Sequence, residues 1–115
     1  MTDPNCLFCK IIDKKIPGKV ALDEKDVFAF HDVNPKAPVH ILIVPKIHVA
    51  QISDMHEDQE QLIGKMVHAA KRLAEEYKIK QGYRLVFNNG AAAGQSVFHI
   101  HLHLLGGRPM SWPPG

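Results

Sequence analysis

Two cysteines, one tryptophan and no apolar run approaching a membrane span exclude several protein classes at once. A transmembrane helix needs about 20 consecutive apolar residues, so no membrane partner is expected. Cys6 and Cys9 cannot supply the disulfide framework of a small secreted domain. Neither sign of charge dominates. Lys+Arg number 14 against 12 Asp+Glu, a net +2, which lacks the basic excess of a general nucleic-acid binder, and no specific nucleic-acid partner is expected. The N-terminus has no signal-peptide core, so a reducing, cytoplasmic or nuclear setting is expected. Internal repeats, linkers and low-complexity tracts are also missing. What remains is ordinary globular composition, 45% apolar and 23% charged, and 115 residues imply one domain over 1–115. Histidine is unusually frequent for its type: there are eight, three of them within His99–His103.

Hydrophobic spacing divides the chain into elements. Cys6–Asp13 reads as a short helix stopped by Ile16, Pro17 and Gly18. Val20–Leu22 and Val27–His31 read as a hairpin around a polar turn, and Val39–Val44 as a central strand ended by Pro45. A long helix is expected from Ser53 to about Ile79, with Ser53 and Asp54 as N-caps. Its stripe of Leu62, Met66, Ala69, Leu73 and Tyr77 would pack on a sheet, leaving His68 at the helix edge and His56 on the surface. Tyr83–Asn88 and Val97–Leu105 complete the strands, joined by a small-residue loop from Asn89 to Ser96. With one crossover helix and mostly hairpin links, the fold class is α+β with a mainly antiparallel five-stranded sheet, one long helix and one short one.

Alternation along Val97–Leu105 places His99, His101 and His103 on one side and Phe98, Ile100, Leu102 and Leu104 on a core side. Three imidazoles in register need an anion, a metal or a hydrogen-bond network to hold them. A neutral imidazole is a nucleophile near neutral pH, and a neighbouring ring can donate to a phosphate oxygen. The preceding loop suits the same ligand, because Gly90 to Gly94 leave backbone N–H groups accessible and Ser96 adds a hydroxyl. A phosphate ester or anhydride is therefore the expected substrate. Cys6 and Cys9 have the spacing of half a zinc site; a redox pair or two buried thiols are the alternatives.

The run from His99 to Leu105 resembles the histidine-triad signature. The likeness extends over Phe8–Ile12, Ala29–Val33, Ala37–His40, Val44–Lys46, Gly94–Val97 and Gly106–Arg108. The ending Trp112, Pro113, Pro114, Gly115 resembles the nucleotide-binding (Hint) branch of that superfamily. The resemblance implies a purine nucleoside phosphoramidase, also acting on aminoacyl-adenylates. A dinucleoside polyphosphate hydrolase, or a nucleotide-binding adaptor with vestigial catalysis, are the other readings.

Carried over by position, His101 is the nucleophile and forms a nucleotidyl-histidine. His103 bonds the phosphate and assists the leaving amine, and His99 and His40 orient and relay. Asn88, Gly94, Gln95 and Ser96 hold the phosphate and ribose side, and Asp32 takes the ribose hydroxyls. Phe8, Ile11, Phe30, His31, Val33 and Ile43 form the base pocket. From the residues alone, Asp32 is equally a turn former, His40 a satisfied structural histidine, and Phe8, Ile11 and Ile43 core. The resemblance further implies a homodimer in which Trp112 approaches the partner's site. It also implies a structural Zn²⁺ on Cys6, Cys9, His48 and His99, with no cofactor required for catalysis.

Overall fold

The computed structural model describes residues 2–115. Helix α1 spans Leu7–Ile12, and the strands are β1 (Val20–Asp23), β2 (Val27–His31), β3 (Val39–Pro45), β4 (Tyr83–Phe87) and β5 (Leu102–Gly106). The long helix α2 covers Glu60–Glu76. The five strands form one sheet in the order β1-β2-β3-β5-β4, and every neighbouring pair is antiparallel. The expected α+β architecture is thus present. No helix among the described residues is long and apolar enough to cross a membrane.

The sheet is covered on both faces, and the pleat of β3 sorts its side chains between them. Ile41 and Ile43 join Met66, Ala69, Ala70, Leu73 and Ala74 of α2 in the larger core. Leu42 and Val44 turn to the opposite side, where Phe8 and Cys9 of α1 pack with Phe28 and Phe30. The β1–β2 turn is clamped to α2 by two hydrogen bonds from Arg72 to the Glu24 carboxylate, 2.7 and 2.9 Å, and by Lys65 to Asp26, 2.6 Å.

Two boundaries differ from expectation. The long helix starts at Glu60, not at Ser53 or Asp54. Ile52–Asp54 and Glu57–Gln59 are separate 3-10 turns, parted by the extended residue Met55. Ser53 and Asp54 cap no helix, because both lie inside the first of these turns, where the Ser53 backbone N–H donates to Asn89 Oδ1 at 2.8 Å.

The last strand starts at Leu102, not Val97, because of Pro45. Its ladder with β3 runs from Val39–Gly106 to Ile43–Leu102. Continuing that register sets Val44 opposite His101 and Pro45 opposite Ile100, and Pro45 has no N–H to donate to the Ile100 carbonyl. The Pro45 carbonyl is taken by the His99 ring instead, and the Ile100 N–H goes to Val49 O at 2.8 Å. Side-chain alternation nevertheless persists from His99 to Leu104. It fails at Phe98, which is 43% exposed and not in the core.

Candidate active site and metal centre

His99 is fully buried, His101 nearly so, and His103 half-buried. All three lie on the α1 side of the sheet, and backbone groups, directly or through His40, determine which nitrogen of each ring carries hydrogen. A carbonyl can only accept, so the ring nitrogen facing it must be protonated. His99 Nε2 lies 2.8 Å from Pro45 O and donates to it, leaving Nδ1 a bare lone pair. His101 Nδ1 lies 2.8 Å from His99 O and donates likewise, leaving Nε2 bare. His40 has the opposite constraint: its Nδ1 accepts the Lys36 backbone N–H at 3.0 Å, so the hydrogen sits on Nε2. That hydrogen points to His103 Nδ1 at 2.9 Å, with Asp32 Oδ2 at 3.4 Å from the same nitrogen. His103 therefore carries its own hydrogen on Nε2.

Burial keeps these rings neutral. It lowers the pKa of His101, opposed by its bond to His99 O and by the Asp32 charge. It pushes His103 down to about 4, helped by the neighbouring His101 and His40. His40 is also lowered, again first by burial.

Beside His101 lies a cavity of about 330 Å³, walled by Leu7, Phe8, Ile11, Phe30, Leu42 and Val97 and edged by Asp32, Val33, Ser96, His101 and His103. The Phe8 ring meets His101 edge-on, with centroids 5.1 Å apart. Gly18 belongs to this wall, and a Cβ there would stand 2.9 Å from Ile11 Cγ2, so only glycine lets the chain pass so close to α1.

Most of the expected residues converge on this cavity, but several do not. Ile43 is fully buried in the α2 core, and Leu42 takes the cavity position. The signal was parity with His40, two positions earlier on the same face of β3. His31 borders the cavity, yet its Nε2 bonds the Tyr77 hydroxyl at 3.0 Å. The Gln95 side chain is consumed internally: it accepts from Gly90 N–H and donates to Ala50 O and Val97 O, which shapes the loop. Gly94 is exposed, with φ 97°. Asn88 lines a second cavity, about 250 Å³, with His40, His103, Lys36, Arg84 and Arg108. Trp112 is 82% exposed and lines neither cavity. Asp32 does form the turn, its Oδ1 accepting the Asn34 N–H at 2.8 Å.

The bare Nδ1 of His99 faces three further donors. It lies 3.4 Å from Cys6 Sγ, 3.5 Å from Cys9 Sγ and 3.3 Å from His48 Nδ1, and Cys9 Sγ is 3.5 Å from His48 Nδ1. A zinc tetrahedron built on Zn–S of about 2.3 Å and Zn–N of about 2.0–2.1 Å has edges of about 3.3–3.8 Å. The four side chains match that figure, so they could hold zinc in a closed site. Without a cation, burial pushes the Cys9 thiol up to about 11.

The model of the HIT domain matches residues 13–110. A HIT-like protein of Synechocystis is 48% identical over 109 residues, covering 95% of this chain and 96% of its own. A 14 kDa zinc-binding protein of Zea mays is 44% identical, over 100% of this chain and 91% of its own. The crystal structure of a HIT family hydrolase from Legionella pneumophila superposes with TM-score 0.94 at 51% identity, covering 96% of this chain and all of its own. The chain belongs to the HIT domain family.

Proposed function

We propose that the protein is a nucleotide hydrolase whose preferred substrates are purine nucleoside phosphoramidates. The observation carrying this is the pair of nitrogens at the cavity edge: the bare Nε2 of His101 and the protonated Nε2 of His103, on rings whose centroids are 4.9 Å apart. One is a nucleophile without needing a base, and the other is a donor. The similar Legionella protein is named as a hydrolase, which supports the reaction class.

In this mechanism His101 Nε2 attacks the phosphorus and the P–N electron pair leaves with nitrogen. His103 Nε2–H donates to a phosphate oxygen and keeps its hydrogen, while its Nδ1 receives the His40 hydrogen. The departing nitrogen takes a proton from solvent and leaves as a neutral amine, which gives a nucleotidyl-imidazolium on His101. Water then attacks phosphorus and loses its proton to solvent, and the bond to His101 breaks to restore the neutral ring and release the nucleoside monophosphate. Ser96 and the loop N–H groups hold the phosphate, and Asp32 accepts from the ribose hydroxyls. Phe8, Ile11, Phe30 and Leu42 enclose the base, with Val33 and His31 at its rim.

Zinc on Cys6, Cys9, His48 and His99 is part of this proposal. Bound there, it supplies a fixed structural charge and no reaction step. Its residues tie α1, which carries Phe8, to the chain segment holding His101, and the similar maize protein is named for binding zinc. A homodimer is also proposed, through β4, an edge strand whose five residues are all only half-buried, with Trp112 reaching towards the partner.

Incubation with adenosine 5′-phosphoramidate tests the reaction. The wild-type protein is expected to release ammonia and the monophosphate. His101→Ala should lose activity by a factor on the order of 10⁴. Equal turnover by the two proteins overturns the proposal.

A further inference from the structure

The second cavity has an unusual lining. Three cations border it, Lys36, Arg84 and Arg108, and no carboxylate does among the described residues. None of the three enters an ion pair among the described residues; surface cations elsewhere, such as Lys65 and Arg72, do pair with acids. The two guanidiniums are held by neutral groups instead. Arg84 Nη2 donates to Ser111 O at 2.7 Å, and Arg108 donates from Nε to Lys36 O at 2.9 Å and from Nη1 to Pro109 O at 3.0 Å. Carbonyl bonds hold a guanidinium in place without cancelling its charge, so the positive potential is left for an incoming group.

The placement says which group that is. His101 borders only the first cavity, whereas His103 borders both. In a displacement at phosphorus the nucleophile and the leaving group lie on opposite sides. A phosphorus reached by His101 therefore sends its departing group past His103, toward the second cavity.

We infer that this cavity is the leaving-group subsite and that Lys36, Arg84 and Arg108 make it selective for leaving amines that carry an anion, such as an amino acid's carboxylate. The inference rests on the phosphoramidate reading and adds the substrate class. Bond changes are those already described; the cations touch only the far end of the departing amine. Lys36 and Arg108 are exposed and Arg84 half-buried, and at such positions a single ion pair is worth up to about fivefold.

The test compares adenosine 5′-phosphoramidates of 4-aminobutyrate and of n-butylamine, whose amines are similar in basicity and differ in terminal charge. Wild-type kcat/KM is expected to favour the carboxylate by roughly tenfold at low salt, and the preference should shrink as ionic strength rises. In the Lys36→Gln/Arg84→Gln double variant the ratio should fall towards one. The wild-type salt series tests the same point without any substitution. Cleavage of both substrates at equal rates, or faster cleavage of the neutral one, overturns the inference and leaves the phosphoramidate reading standing. Equal slowing of both by the double variant also overturns it, because the cations would then serve the transferred phosphate. Cleavage of neither overturns both.

Discussion

Two clusters of ligand-type side chains lie a few residues apart, and they behave oppositely. Cys6, Cys9, His48 and His99 form one; Asp32, His40 and His103 form the other, and both have the residue types that bind metals. In the first, the Pro45 carbonyl takes the hydrogen of His99, so an unprotonated nitrogen points at two sulfurs and a second imidazole. In the second, the Lys36 N–H occupies His40 Nδ1 and forces a hydrogen onto the nitrogen that faces His103 and Asp32. A metal there would require His40 to lose its last hydrogen. One cluster is a cradle of lone pairs, the other a chain of hydrogen bonds. One backbone group in each, the Pro45 carbonyl and the Lys36 N–H, makes the difference.

The largest expected effect breaks the first cluster. Cys9→Ser should take bound zinc from one per chain to well below one, measured by metal analysis of protein purified without chelator. It should also remove about 3–4 kcal/mol of metal-linked stability when zinc is several hundredfold above its Kd. Because α1 carries both Cys9 and Phe8, nucleoside monophosphate affinity measured by calorimetry should fall with the metal.

The second cluster is tested by splitting the two functions of His40. His40→Asn places an acceptor near the Lys36 N–H but offers nothing to His103, whereas His40→Gln keeps a donor near the Nε2 position. Asn should lower kcat roughly 10²-fold, and Gln should recover a good part of it. Equal losses would show that His40 acts only through packing.

Acid separates the clusters through proton linkage. His103 titrates at about 4 in the folded protein, with burial as the main cause, against about 6.5 when unfolded. Between these values the unfolded chain binds more protons, so stability rises with pH there. His40 and His101 are shifted the same way. Urea midpoints should therefore be level above pH 7 and fall as pH drops from about 6.5 to 4. His103→Gln should flatten that slope.

The smallest effect separates the faces of β3. Ile43→Val should cost about 1 kcal/mol in the α2 core and leave nucleotide affinity unchanged. Leu42→Ala should weaken nucleotide binding, because its side chain walls the cavity.

Much of this was legible in residue order. Period-two spacing put His99, His101 and His103 on one side, and period-3.6 spacing put Met66, Ala69 and Leu73 under the sheet. Ile43 was misplaced because β3 is apolar on both faces; alternation carries no information where both sides are covered. The late start of the last strand was hidden for a different reason. It depends on Pro45, which is far from His99 in the chain and beside it only after folding.

Local pattern thus reached as far as element type, the face of each histidine and the presence of a thiol pair, since these follow from side-chain period and composition. It stopped at the protons. Which nitrogen of His99 or His103 is bare depends on a group far along the chain, the Pro45 carbonyl for one and the His40 ring for the other, and those partners meet only when β3 packs beside the segment from His99 to Gly106. A ring's chemistry follows the group it faces, and residue order does not record that.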